Sequence, residues 1–286
     1  MKKAAPFFGP GGNSEAFYAA GKKSTTEAPA WIKQIGLDAY EYEAGKGIMA
    51  SDAVLRKIGE EAEKSGVKMS LHAPYFISLS SVEVEKRMNS VEYIRKSVAA
   101  AELLGAKTIV VHCGSASKIS REEAMKLSAD TLLHTLDTLH DTDVKIGIET
   151  MGKQNQLGTL EEVISLCKLD KIFVPVIDFG HLNARDCGGV FETADDYMRV
   201  FDAVEKNLGA EIAENMHCHF SKIEWTSKGE KKHLTFEDDV YGPSPEKLVD
   251  AIYKLGIAPT LICESAGTQS DDALYMKKEF LKVCDN

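Results

Sequence analysis

Nine residues scattered along this 286-residue chain share one chemistry: His72, His112, Glu149, Asp178, His181, His217, His219, His233 and Glu264. Imidazole nitrogens and carboxylate oxygens are the ligand set of borderline divalent cations such as Zn²⁺ and Mn²⁺. Their positions are regular. "VKMSLH" ends in His72, "KTIVVH" in His112, "VKIGIE" in Glu149, "FVPVID" in Asp178 and "PTLICE" in Glu264, so each closes a short apolar, β-branched run. "MHCHFSK" (216–222) puts His217 and His219 on either side of Cys218 at the end of another such run. His181 follows Asp178 by one turn, and His233 lies in the loop after "MHCHFSK". A single histidine at a strand end is more often a hydrogen-bonded core residue than a ligand. Six of the eight histidines fall into this pattern, however, and only His134 and His140, on a predicted helix, are left for surface or packing roles. Carboxylates brought together repel one another and lose hydration, and a divalent cation removes both penalties. More than four candidate ligands predict more than one ion. Such a cluster generates hydroxide near neutral pH and stabilises both oxygens of a phosphoryl transfer.

The elements that must position these residues alternate. Strands are expected at 4–8, 38–43, 67–72, 107–112, 144–149, 173–178, 214–219 and 259–264. Helices are expected at 27–36, 51–65, 82–104, 120–140, 159–168, 194–208, 244–255 and 271–283. Ser120 with Glu123 and Thr159 with Glu162 fit capping boxes, Pro245 suits a first helical position, and Gly105 suits a helix stop. Val91, Ile94, Val98 and Ala101 share one helical face. Eight βα units predict an α/β single domain over 1–286, a (β/α)₈ TIM barrel, in which functional residues gather at the carboxyl ends of the strands. An open doubly wound sheet is disfavoured, because "GPGGNS" (9–14) lacks the GxGxxG spacing. Strand alternation turns Cys113, Cys218 and Cys263 away from the lumen, where they act as small core residues.

A net charge of −10 argues against a mainly electrostatic nucleic-acid binder, though not against one with a local basic face. The six cysteines show no CxxC pair, so neither a disulfide framework nor a zinc ribbon is indicated. Met1-Lys2-Lys3 is not followed by a signal-peptide core, and a soluble cytoplasmic protein, monomeric and off the membrane, is expected.

As an ordered set, "HAPYFISLSS", "VVHCGSAS", "IETMGKQNQLGT", "VIDFGH", "MHCHFSK" and "ICES" resemble the endonuclease IV family of abasic-site endonucleases, within the xylose-isomerase-like barrels, over essentially the whole chain. The resemblance implies two to three zinc ions, with Mn²⁺ as a substitute, and hydrolysis of the phosphodiester 5′ to an abasic site in duplex DNA. It implies that His72 and His112 share one ion with bridging Glu149. Asp178, His217 and Glu264 would complete a second site, and His181 and His233 would hold a third. Tyr75 matches a DNA-facing tyrosine. Three positions depart from the family pattern. Lys231 replaces the aspartate expected two residues before His233, and the adjacent Glu230 could substitute only with a shifted loop. The family's Asp-Thr-Cys-His reads Asp178-Phe179-Gly180-His181, and its His-x-Asn-Asp reads His217-Cys218-His219-Phe220. His217 and His219 share a strand face about 6.6 Å apart, at ~3.3 Å per residue. Matching the family's spacing to Lys222 selects His217 as the ligand and leaves His219, where the family has Asn, either behind a ligand or facing substrate.

The long loop from Ser221 to Pro243 carries Trp225, Lys222, Lys228, Lys231 and Lys232, and is read as a DNA-gripping element in which Trp225 and Lys231 contact substrate. Lys118 and Lys153 would add positive charge at the same rim. A sugar isomerase or epimerase is the competing reading: one Mn²⁺ or Mg²⁺ on Glu149, Asp178, His217 and Glu264, with Glu149 and Glu264 as the catalytic pair that moves a proton α to a carbonyl. A barrel that binds metal or ligand without catalysis ranks last.

Overall fold

The computed structural model of the protein describes residues 5–285. The strands are Phe7–Pro10 (β1), Ala39–Glu43 (β2), Lys68–His72 (β3), Thr108–His112 (β4), Lys145–Glu149 (β5), Phe173–Asp178 (β6), His217–Phe220 (β7), Ile223–Thr226 (β8), Gly229–His233 (β9) and Thr260–Cys263 (β10). Eight of them form one parallel sheet in the order β1-β10-β7-β6-β5-β4-β3-β2, and β8 with β9 forms a separate antiparallel hairpin. β1 and β2 meet across the seam and close the barrel: Asp38 N donates to Phe8 O at 2.9 Å, and Gly12 N donates to Glu41 O at 3.0 Å. Only glycine permits this approach at position 9, since a Cβ there would sit 1.8 Å from the carbonyl oxygen of Ala39. The (β/α)₈ barrel expected from the alternation is the fold.

The helices are Glu15–Ala19 (α1), Ala28–Gln34 (α2), Asp52–Ser65 (α3), Val84–Leu104 (α4), Arg121–Leu136 (α5), Leu160–Cys167 (α6), Phe179–Arg185 (α7), Ala194–Leu208 (α8), Ala210–Glu214 (α9), Pro245–Leu255 (α10) and Gln269–Asp285 (α11). Their punctuation works largely as read. Gly105 ends α4 in the left-handed region, Pro245 opens α10, and the Thr159–Glu162 box is complete. Ser120 makes only half of its box, accepting from Glu123 N at 3.2 Å. Val91, Ile94, Val98 and Ala101 are all buried, and Cys113, Cys218 and Cys263 are fully buried in the core as well. His134 and His140 are surface residues, facing Asp137 and Glu102.

The structure departs from the sequence reading in four respects. The first strand was expected from residue 4, which lies outside the described residues, but begins at Phe7. The seventh begins at His217 rather than 214, because α9 runs to Glu214. α1, α7 and α9 are five to seven residues long, too short for a helical period to declare itself. The stretch after β7, read as a loop, contains the β8–β9 hairpin.

Candidate metal centre

The strand ends of the barrel converge on Glu149, which closes β5 and is fully buried. One side of its carboxylate faces two imidazoles: His72 Nε2 lies 3.5 Å and His112 Nε2 3.2 Å from Oε2. The other side faces His219, whose Nδ1 is 3.0 Å from Glu149 Oε1 and 3.4 Å from Glu264 Oε1. Asp178 joins this second group. It also organises the next turn: as the N-cap of α7 it accepts from His181 N at 2.8 Å, so the residue that ends β6 sets the direction of His181. His181 Nδ1 then lies 3.3 Å from Asp178 Oδ2, while its Nε2 lies 3.6 Å from Glu230 Oε2. His233 Nε2 is 4.0 Å from Glu230 Oε1. Three sets of potential ligands result around Glu149 and His181, namely His72–His112–Glu149, Glu149–Asp178–His219–Glu264 and His181–Glu230–His233, and two more include Glu41, one with His217 and His219 and one with Glu43 and Glu264. His72, His112, Glu149, His181, Glu230, His233 and Glu264 line a cavity of about 540 Å³ together with Tyr75, Lys153, Gln156, Gly11, Glu43 and Gln269.

The side chains fit divalent cations. Glu149 Oε2 and Asp178 Oδ2 are buried without a hydrogen-bond partner, a costly state that ligation would relieve. The protonation pattern has the same cause. Burial alone would lower the pKa of His72 and His181. The carboxylates around them outweigh it and push His72 up to about 10 and His181 up to about 9. Burial pushes Glu264 up to about 8, reinforced by Glu149 and Asp178 against the opposing pull of His219. Without cations the cluster therefore has to hold protons to offset its own charge. His112 and His233 are shifted down, chiefly by burial, and are poised as neutral ligands.

The profile of the family described as Xylose isomerase-like TIM barrel matches residues 29–282. The chain belongs to that family. An uncharacterised protein of Methanocaldococcus jannaschii is 31% identical over 86% of this chain and 88% of its own length. A protein of Acholeplasma laidlawii named Probable endonuclease 4 is 32% identical over 58% of this chain and 57% of its own length. The family match and the Acholeplasma laidlawii relative support the endonuclease IV resemblance read from the motifs. Two solved barrels share the fold at 20% identity: a D-tagatose 3-epimerase-like protein, with a TM-score of 0.72 over 98% of both chains, and endonuclease IV from Thermus thermophilus, with a TM-score of 0.67 over 98% of this chain and 99% of that one.

Within this xylose isomerase-like barrel, it is His219, and not His217 as expected, that lies among the potential ligands around Glu149, Asp178 and Glu264. His219 is level with Asp178 in the β6–β7 ladder, whereas His217 is level with Val176 and with Thr260, one layer deeper. His219 therefore meets Glu149 and Glu264. His217 instead has its Nε2 2.9 Å from Glu41 Oε2. Spacing to Lys222 could not reveal this, because both histidines have the same parity and only cross-strand register separates them. Glu41 itself was missed. Its signal was available in "AYEYE", where two glutamates occupy same-face positions of a strand that ends buried.

The departure at Lys231 has a local remedy. In the hairpin Glu224 pairs with Lys232 and Trp225 pairs with Glu230, so Lys231 is the extra residue of a β-bulge. The bulge turns Lys231 outward, where its Nζ lies 2.6 Å from Glu224 Oε1, and turns Glu230 inward between His181 and His233. Gly152 makes room, since a Cβ there would lie 2.7 Å from Cβ of Glu230. Trp225 also lies off the cavity, edge-on to Tyr241 at 5.7 Å. Neither Trp225 nor Lys231 is at the substrate-facing wall where the sequence reading put them. Of the other basic residues, Lys153 lines the cavity, Lys118 lines a separate surface cleft, and Lys222 Nζ donates to Phe236 O at 3.0 Å. Tyr75 does stand at the rim, 60% exposed and stacked on His112 at 6.2 Å.

Proposed function

We propose that the protein is a metal-dependent phosphodiester hydrolase of the endonuclease IV type that nicks duplex DNA 5′ to abasic sites. One observation carries this reading: three ligand sets meet at one cavity floor, and the third is complete because Glu230 stands in for the aspartate that the sequence lacks. Zinc suits the mixed histidine and carboxylate donors, with His72, His112 and Glu149 on one ion, Glu149, Asp178, His219 and Glu264 on a second, and His181, Glu230 and His233 on a third. Ions bound there would supply hydroxide near neutral pH and electrophilic stabilisation of the phosphodiester oxygens. The chain's own groups account for the rest. Glu149 joins two sites and fixes their separation, Lys153 brings a cation to a phosphate at the cavity wall, and Tyr75 offers an exposed ring against which the opened nucleotide gap can pack.

A second reading, a single-metal sugar epimerase, draws support from another residue of the same cavity. Glu43 lines that cavity, and burial raises its pKa to about 7. A carboxyl group at that position suits sugar hydroxyls better than a phosphodiester. In this reading Glu149 and Glu264 are the catalytic pair around one ion.

Metal analysis of the purified protein beside a nicking assay on abasic duplex DNA separates the two. The hydrolase reading expects two to three zinc ions per chain and nicks that leave a 3′-hydroxyl. Full metal loading without any nicking would sink it, and one ion with ketose turnover would establish the alternative.

A further inference from the structure

We infer that Glu41 is the positioning residue that fixes the tautomer of His219, so that its Nδ1 is presented to the metal ion held with Glu149, Asp178 and Glu264. The inference rests on the metal-site reading above and concerns a residue outside the three ligand sets.

An imidazole that binds an ion through one nitrogen carries its proton on the other, and what that proton meets decides which nitrogen is free. His219 Nδ1 faces the Glu149 and Glu264 carboxylates. Its Nε2 lies 2.8 Å from Glu41 Oε1. Both Nε2 and Oε1 are buried, and although their 2.8 Å approach is not aligned as a hydrogen bond, neither makes a hydrogen bond to any other group among the described residues. Once Nδ1 exchanges its 3.0 Å hydrogen bond to Glu149 Oε1 for an ion, the ring proton belongs on Nε2, where the facing Glu41 carboxylate favours it by charge.

Glu41 is itself held from behind. It is fully buried, and its Oε2 accepts from Ser70 Oγ at 2.7 Å and faces His217 Nε2 at 2.9 Å. A buried carboxylate is stable only with such partners. His217, the histidine that sequence spacing made a ligand, thereby acquires a different role. With its proton on Nε2 it donates to Glu41, and Glu41 in turn orients His219. The column Ser70/His217–Glu41–His219 runs from the lower barrel to the cavity floor.

The test is zinc affinity and stoichiometry by chelator competition on wild type, Glu41→Gln and Glu41→Asp, with ¹⁵N NMR of the histidine rings in the zinc-loaded protein. Glu41→Gln loses the acceptor charge and presents an amide to two donors. It should weaken one ion by roughly 10- to 100-fold, the usual cost of losing a ligand's outer partner, and leave the others unchanged. Glu41→Asp should recover part of that loss, and wild-type His219 should carry its proton on Nε2. Wild-type affinity in Glu41→Gln, equal weakening of every ion, or a proton on Nδ1 of zinc-loaded His219 would each overturn the inference. So would an extra ion bound by Glu41, His217 and His219 themselves. If Glu41→Gln does not fold, the tautomer in the wild type still decides. A wild type that takes up no zinc is a separate result, which overturns the metal-site reading and this inference with it.

Discussion

His217 and His219 differ by one layer of the barrel, and that layer decides their chemistry. Both are buried histidines on the same face of β7. At the level of Asp178 an imidazole meets Glu149 and Glu264 as well as Glu41, and one layer down it meets Glu41 alone. His219→Ala should therefore remove one ion per chain. His217→Ala should keep the full complement with affinity reduced by roughly 10-fold or less, since it acts only through Glu41. Metal analysis after dialysis against a weak chelator reads both, and equal losses in the two variants would contradict the assignment. The residue types were legible in the sequence, as was their convergence. Which of two same-parity histidines reaches the cluster was not, because parity gives the face and only register gives the height.

The β8–β9 hairpin shows what an element can repair. Lys231 occupies the position of an expected ligand, yet the bulge removes it from the ladder and brings Glu230 to the side of His181 and His233. Deleting Lys231 would restore a regular strand in which Glu230 falls two places before His233 and shares its face. The deletion should thus retain the third ion, whereas Glu230→Ala should lose it. Loss in the deletion and retention in Glu230→Ala would show that the bulge does not serve this site. Sequence reading foresaw Glu230 as a substitute only if the loop shifted. The shift is a single inserted residue, which no propensity announces in a stretch as charged as "GEKKH". α7 makes the same point, since its seven residues are too few for a period, yet its N-cap Asp178 is a candidate ligand and aims another.

At the scale of the whole molecule, closure of the barrel holds the cluster together, because its members come from six strands, the hairpin and α7. Closure is tightest at the β1–β2 seam, where Gly9 lies against Ala39 and where Glu41 and Glu43 enter the lumen. Gly9→Ala should destabilise the protein by about 3 kcal/mol, the upper range for an overpacked site, and should weaken the His219 site through displaced Glu41. Urea denaturation beside zinc titration checks this, and a stable variant with intact affinity would show that the seam is not coupled to the centre. By itself the sequence determined the alternation of eight strands and helices, the outward cysteines and the residue types gathered at one rim, because hydrophobic period and strand-end position are local properties. Tertiary structure decided that His219 and not His217 faces the shared carboxylates, that Glu41 stands behind it, that Glu230 replaces the missing aspartate, and that Trp225 and Lys231 turn away from the cavity. Each of these depends on register between strands distant in the chain or on one inserted residue in a hairpin, and neither leaves a periodic trace in the residues themselves.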